Sequence, residues 1–137
     1  MSIAIDTNVL VRLLVRDDEP QFQAASRLVE QADAASEPLL IVLGALLETE
    51  WVLRSRYRLD KPAIATTFAR LLESDGLVFE HEPTVEEALH LWNQHAGADF
   101  ADCLLNARAA QLGCARFVTF DAGAAQLPRA ELLTTSS

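Results

Sequence analysis

Short apolar runs alternate along this chain with longer segments in which apolar residues recur every three or four positions. The short runs predict β-strands, and the longer segments predict amphipathic α-helices. The predicted strands are residues 3–5, 39–43, 77–79, 117–120 and 131–133. The predicted helices are residues 9–15, 19–34, 44–57, 60–75, 83–92 and 100–112.

The alternation of strands and helices favours a parallel sheet covered by helices on both faces. We therefore expect an α/β protein, a three-layer α/β/α sandwich with a central parallel sheet of four to five strands. A length of 137 residues suits one domain, and we assign residues 1–137 to it. Residues 134–137 are expected to be a frayed tail.

Periodicity also predicts which side chains are buried. The apolar face of the third helix is assigned to Leu47 and Trp51, with Leu46 and Leu53 as further candidates, and Glu50 is expected to be a surface charge. The two cysteines, Cys103 and Cys114, form neither a CxxC pair nor a zinc-binding pattern with histidine. We expect both to be core thiols.

The hydropathy pattern argues against a membrane or exported protein. The longest uncharged apolar run, residues 38–47, is about half of what a membrane-spanning helix needs. The opening MSIAIDTNVL has no basic stretch before an apolar core and no small-residue cleavage site. We therefore expect a soluble cytoplasmic protein.

The net charge of -9 disfavours broad adhesion to nucleic acid, which requires many basic side chains to neutralise phosphates. A local site is still possible, because Arg54, Arg56 and Arg58 lie among aromatic residues in the segment WVLRSRYR. Arginine pairs with phosphate and stacks on bases, so this segment is a candidate docking surface for RNA or an acidic partner. The alternative is a solvated helix face.

Five carboxylates stand where the apolar pattern changes period. They are Asp6, Glu48, Asp99, Asp102 and Asp121. Asp6 and Asp121 follow predicted strands, Asp99 and Asp102 lie in the first turn of a predicted helix, and Glu48 lies one turn into another. In a parallel sheet the ligand crevice lies beyond the carboxyl ends of the strands, so these groups can converge in space.

Each carboxylate also has an ordinary structural explanation. Asp6 and Asp121 suit turns or helix caps, Asp99 suits an N-cap, and Glu48 suits a surface position. Asp102 is less easily explained, although the helix dipole favours any carboxylate at a helix N-terminus. Several buried carboxylates at one apolar edge would be costly without a counter-charge, which favours a bound cation.

The donor set predicts the metal and its chemistry. Carboxylates without cysteine or an evident histidine suit Mg²⁺ or Mn²⁺ better than zinc or copper. Such sites support in-line displacement at phosphorus by a metal-activated water, which here would leave a 5′ phosphate on the product. We interpret His81, His90 and His95 as structural or exposed, because they lie in polar loops or on a helix beside Trp92.

Three segments resemble the PIN-domain ribonucleases, in particular the VapC toxins of bacterial type II toxin–antitoxin modules. The segments are IDTNVLVRLL, LLETEWVLR and ADFADCLLNARAAQLGCARFVTFD, and the resemblance spans nearly the whole chain. It implies a Mg²⁺-dependent endoribonuclease that acts on RNA rather than DNA. It also implies a homodimer and a cognate VapB antitoxin whose C-terminal segment occupies the active-site groove.

The resemblance also assigns roles to individual residues. It implies that the metal is held by Asp6, Glu48, Asp102 and Asp121, with Asp99 as a supporting acid. It implies that the polar neighbours which orient ligands or water are Thr7, Asn8 and Thr119.

Two other functions compete with this one. A receiver domain or a haloacid-dehalogenase-like phosphatase would also place aspartates and Mg²⁺ at strand ends, but families of both kinds use a lysine near the phosphoryl group. The only lysine is Lys61, which begins a predicted helix in the middle of the chain. The other alternative is a PIN-like module that binds a partner protein with little catalysis.

Overall fold

A computed structural model describes residues 2–135 of the chain. The strands are β1 (Ile3–Ala4), β2 (Leu39–Ile41), β3 (Leu77–Phe79), β4 (Phe117–Thr119) and β5 (Ala130–Leu132). The helices are α1 (Thr7–Leu14), α2 (Glu19–Ala34), α3 (Leu43–Ser55), α4 (Lys61–Leu72), α5 (Glu82–Gln94) and α6 (Phe100–Gln111), followed by a 3₁₀ turn at Ala124–Gln126. Of the predicted tail, Thr134 and Thr135 have no regular secondary structure, whereas residues 136–137 lie outside the described part.

Residues 1–82 form the first of two compact units. Its sheet has the order β1-β2-β3, with all strands parallel. Ile3 pairs with Leu39, and Leu40 pairs with Val78. Parallel pairing places the carboxyl ends of all three strands at one edge, where the loop after β1 begins α1.

Residues 83–137 form the second unit. Its two strands, β4 and β5, are also parallel, and Phe117 pairs with Ala130. Trp92 on α5 packs edge-on against Phe100 on α6, with 5.1 Å between the ring centroids. This aromatic pair fixes the start of α6, the helix whose first turn carries Asp102.

The predicted α/β class and the parallel strands are confirmed, and residues 2–135 contain five strands. Hydrogen bonding divides these strands into a three-stranded sheet and a two-stranded sheet, instead of the expected central sheet of four to five strands. Within the described residues, no helix is long and apolar enough to cross a membrane.

Helix starts follow from short polar side chains placed before proline. The Asp18 carboxylate accepts a hydrogen bond from the Gln21 NH at 3.1 Å, and the Asp60 carboxylate accepts one from Ala63 at 3.0 Å. Both helices carry proline in the first turn. These caps satisfy NH groups that have no partner inside the helix, so the predicted starts of α2 and α4 are confirmed.

The buried face of α3 differs from the prediction. Leu46 and Leu53 are fully buried, but Trp51 is 54% exposed. Glu50 lies between the two leucines at helical spacing and is 3% exposed, so its assignment as a surface charge is wrong. Nearly every side of α3 carries apolar residues, so periodicity alone does not select the buried face.

The two cysteines also differ from each other. Cys103 is buried in α6, as predicted, but Cys114 is exposed, so its assignment as a core thiol is wrong. The helix ends before Cys114, because Gly113 adopts a positive φ of 84° that turns the chain out of the helical path.

Candidate metal and nucleic-acid site

Asp6 lies at the edge of the sheet where β1 ends and α1 begins. It is the N-cap of α1, and its Oδ1 accepts a hydrogen bond from the Thr7 NH at 2.7 Å. The capping role and a metal-binding role are compatible, because a carboxylate has two oxygens and about four acceptor sites. Thr7 itself is buried, which holds the start of α1 in place.

Asp6 and Glu48 line one pocket in the first unit, with a volume of about 200 Å³. We call it the carboxylate pocket. The predicted polar neighbours Thr7 and Asn8 line it as well. Although 42 positions separate Asp6 from Glu48 in the sequence, the structure brings them to one cavity, as the strand-end rule predicts.

The carboxylate pocket is also lined by Arg12 and Tyr57, neither of which the sequence analysis singled out individually. The Arg12 guanidinium donates to Asp17 at 2.8 Å, to Gln21 at 2.6 Å and to the Tyr57 hydroxyl at 3.2 Å. The Tyr57 hydroxyl in turn donates to Asp17 Oδ2 at 2.8 Å. Tyr57 and Asp17 are forty positions apart, so no local signal in the sequence pairs them.

This network fixes the charges of its members. The hydrogen bond from Tyr57, together with the nearby charge of Arg12, lowers the pKa of the Asp17 carboxyl. The same hydroxyl and the Asp17 charge raise the pKa of Arg12. Arg12 therefore stays protonated and held in one position beside the pocket.

Glu80 is a further carboxylate at a strand end that the sequence analysis did not consider. It follows β3 directly, and its Oε1 accepts a hydrogen bond from the Leu43 NH at 2.8 Å. Val42, the N-cap of α3, supplies no side-chain hydrogen bond. Glu80 therefore caps α3 from a neighbouring strand, which assigns it a structural role.

In the second unit, Asp99 and Asp102 lie at the start of α6, as predicted. Asp99 occupies the N-cap position, but its side chain makes no capping hydrogen bond. The predicted N-cap position of Asp99 is therefore confirmed, but the hydrogen bond from its carboxylate that would explain an aspartate there is not made. Partial burial, followed by the negative charges of Asp121 and Asp99, raises the pKa of the Asp102 carboxyl.

Asp121 is held by its neighbours. Its backbone NH donates to Thr119 Oγ1 at 3.0 Å, and its Oδ2 accepts from the Ala124 NH at 3.0 Å. Asp121 therefore does cap a turn, the ordinary alternative considered for it, and Thr119 orients the loop that carries it. Its Oδ1 makes neither of these two contacts.

Two glycines bring the Asp121 loop next to the start of α6. A Cβ built on Gly123 would overlap the carbonyl oxygen of Gly97 and lie 2.9 Å from its carbonyl carbon. Gly97 precedes the residues that begin α6, and Gly123 follows Asp121 by two positions. The absence of a side chain at Gly123 therefore permits the close backbone contact that joins the two acidic segments.

The three arginines of the predicted docking segment have different surroundings. The Arg54 Nε donates to the buried Glu50 at 2.8 Å. Arg56 lines the carboxylate pocket, whereas Arg58 is exposed and has a positive φ of 54°. The three side chains are therefore not equivalent, and only Arg56 adjoins the predicted metal ligands.

The donor chemistry of both units fits a hard divalent cation. Carboxylate oxygens are the ligands that Mg²⁺ and Mn²⁺ prefer, and Asp6 and Glu48 already share a cavity. Within residues 2–135, however, no group of three or more histidine, cysteine, aspartate or glutamate side chains is close enough to form a complete metal site. The three predicted histidines supply no ligand cluster within that range either.

The sequence of the chain matches a family model described as the PIN domain over residues 3–130. The chain therefore belongs to the PIN domain family. PIN domains are generally nucleases, and they act on RNA. None of the curated proteins compared with the chain matches it at a significant level.

Proposed function

We propose that this protein is a Mg²⁺-dependent endoribonuclease and the VapC-type toxin of a toxin–antitoxin module. The observation that carries the proposal is the shared pocket of Asp6 and Glu48 in a chain of the PIN domain family. Two carboxylates at the carboxyl edge of a parallel sheet are suited to bind a divalent cation and, through it, a phosphodiester.

The proposed ligands of Mg²⁺, or of Mn²⁺ in its place, are Asp6, Glu48, Asp102 and Asp121, with Asp99 in support. A bound divalent cation would polarise the scissile phosphate and activate a water for hydrolysis. Thr119 orients the Asp121 loop through its hydroxyl, and Thr7 and Asn8 position the start of α1 beside the pocket. The side chains thus hold ligands and substrate in place, while the fold limits their movement.

The toxin assignment includes a homodimer, a VapB-like antitoxin and a cytoplasmic location. Large apolar side chains that stay exposed support a role in binding protein partners, because such surfaces are often interfaces. The most exposed of them are Trp51, Leu105, Leu112 and Phe120. A partner-binding module with little catalysis would also use such a surface, so catalysis must be tested directly.

The first test is RNA cleavage by protein purified free of antitoxin. We expect single-stranded RNA to be cut in Mg²⁺, the products to carry 5′ phosphates, and cleavage to stop when EDTA removes the metal. Product ends can be read by labelling before and after phosphatase treatment. Cleavage that continues in EDTA, or products with 5′ hydroxyls, would contradict the proposed chemistry.

A further inference from the structure

We propose that the carboxylate pocket also binds one unpaired nucleotide of the RNA, with the Tyr57 ring facing the base and Arg56 contacting a phosphate. This inference rests on the proposed function and names the part of the substrate that the pocket holds. It assigns roles to two residues for which the family match alone gives none.

Tyr57 is suited to support a base because its hydroxyl already forms two hydrogen bonds within the protein. The hydroxyl donates to Asp17 at 2.8 Å and accepts from Arg12 at 3.2 Å, while the side chain lines the pocket. These bonds hold the hydroxyl end of the side chain in place before any ligand arrives. Aromatic rings held this way stack on unpaired bases, and they do so with little dependence on base identity.

Arg56 is the cation that this pocket offers to a phosphate. The charge of Arg12 is already engaged by Asp17, and its Nε is used by Gln21. Arg56 is exposed and lines the same pocket, and within residues 2–135 its guanidinium group forms no hydrogen bond or ion pair, although its backbone NH donates to the Val52 carbonyl. An arginine in this state can pair with phosphate without first breaking an internal contact.

The size of the pocket suits a single strand. A volume of about 200 Å³ corresponds to several waters, each of which occupies about 30 Å³ in the liquid. This space is comparable in size with one base and is too small to enclose a base pair. RNA recognition of this kind requires a base that is unstacked from its neighbours.

The carboxylates make binding at this pocket depend on metal. Asp6 and Glu48 repel a phosphate when no cation is present, whereas a bound divalent cation reverses the local field. We therefore expect the pocket to bind RNA tightly only when a divalent ion is supplied. Tyr57 and Arg56 are positioning residues in this scheme, since they hold the nucleotide beside the reacting group.

The test uses the full-length protein and a fluorescent single-stranded RNA of about ten nucleotides, with Ca²⁺ in place of Mg²⁺ to slow cleavage. Arg56→Ala is expected to weaken RNA binding about tenfold. It is also expected to reduce the slope of the logarithm of the binding constant against the logarithm of the salt concentration by about one. The matched control is Arg58→Ala. It removes an equal charge two positions further along the chain, and the Arg58 side chain does not line the pocket. We expect the control to weaken binding less than twofold.

Tyr57 is tested with two variants, because removal of its ring also removes a structural contact. Tyr57→Phe keeps the ring and is expected to retain binding within about threefold, whereas Tyr57→Leu is expected to lose about tenfold. In Mg²⁺, these losses should raise KM more than they lower kcat. Thermal melting of each variant checks that it is folded.

Several outcomes would overturn the inference. Equal losses of RNA affinity in Arg56→Ala and Arg58→Ala would indicate general electrostatic attraction to RNA. A duplex of the same sequence that binds as tightly as the single strand would exclude a pocket for an unpaired base. Binding of an oligoglutamate peptide but not of RNA would reassign the pocket to a protein partner. Wild-type protein that cleaves RNA while Arg56→Ala keeps its Kd and KM would refute this inference and leave the proposed function intact.

Discussion

The pKa of the Asp102 carboxyl is raised, so the surroundings of Asp102 disfavour its negative charge. It is partly buried, and the charges of Asp121 and Asp99 act on it. Each of these effects disfavours the ionised carboxylate, so ionised Asp102 destabilises the metal-free fold. A bound cation would reverse that penalty, which is the expected behaviour of a metal ligand.

We therefore predict that Asp102→Asn raises the Tm of the metal-free protein by a few degrees at neutral pH, although it abolishes RNA cleavage. The folded pKa of Asp102 is raised, so its ionisation costs stability as the pH rises above the ordinary value of 3.8. The gain in Tm should therefore disappear below that pH. Thermal melting across pH in EDTA measures both effects, with Glu86→Gln, an exposed carboxylate on α5, as the control.

The ion pair formed by Glu50 and Arg54 has a structural role. Glu50 is buried, and Arg54 donates to it at 2.8 Å from a side chain that is itself 56% exposed. Loss of the arginine leaves a buried carboxylate without this partner.

We predict that Arg54→Ala lowers the free energy of unfolding by about 1 kcal/mol, whereas Arg56→Ala changes it by less than about 0.5 kcal/mol. Urea denaturation measures both. An equal effect of the two substitutions would show that the contact with Glu50 is not stabilising. A joint replacement of the three arginines would therefore mix a loss of stability with a loss of binding.

At the scale of elements, the contact between Gly97 and Gly123 joins the loop before α6 to the loop after β4. A side chain at Gly123 would meet backbone atoms, which cannot rotate away. The nearest atoms that a side chain at Gly97 would meet belong to the Gln126 side chain, at 3.5 Å, which is an ordinary contact. The two glycines are therefore expected to differ sharply in their tolerance of alanine.

We predict that Gly123→Ala costs about 1 to 3 kcal/mol of stability and weakens Mg²⁺ binding, because the Asp121 loop must move away from α6. Gly97→Ala should cost less than about 1 kcal/mol and leave Mg²⁺ affinity near that of the parent. Isothermal titration with Mg²⁺ alone, on variants shown by melting to be folded, gives the affinities. Equal affinity in both variants would show that this backbone contact does not position Asp121.

The elements that the sequence predicts well are those with a local cause. Asp18 and Asp60 precede proline and cap their helices, so α2 and α4 begin where the sequence indicates. The buried face of α3 is not predictable in the same way, because stripes through Leu46 and Leu53 or through Leu47 and Trp51 fit helical spacing equally well. Only packing against the rest of the first unit selects the first stripe.

The candidate site likewise has features that the sequence predicts and features that it does not. The strand-end rule places Asp6 and Glu48 at one pocket from sequence alone. The hydrogen bond from Tyr57 to Asp17 joins residues forty positions apart, so no periodicity or motif in the sequence predicts it. For Asp99, the sequence predicts the N-cap position, but only the structure shows that the side chain makes no capping hydrogen bond.

For the whole molecule, the net charge of -9 must be reconciled with an RNA substrate. General attraction to phosphate is weak at such a charge, so binding must depend on local groups. The carboxylate pocket supplies these in two forms, the carboxylates that a cation would bridge to phosphate and the arginine beside them. Acidity outside the site would then limit nonspecific RNA binding and favour dependence on metal.

The most direct test of the central claim is the rate at which Asp6→Asn cleaves single-stranded RNA in saturating Mg²⁺. Asparagine keeps the oxygen that caps α1 but removes the negative charge, so the fold should persist while metal binding is lost. We predict a loss of at least about 100-fold in kcat, with a Tm in EDTA close to that of the parent. Cleavage by Asp6→Asn at the parental rate would contradict the account, because the pocket would then not hold the catalytic metal.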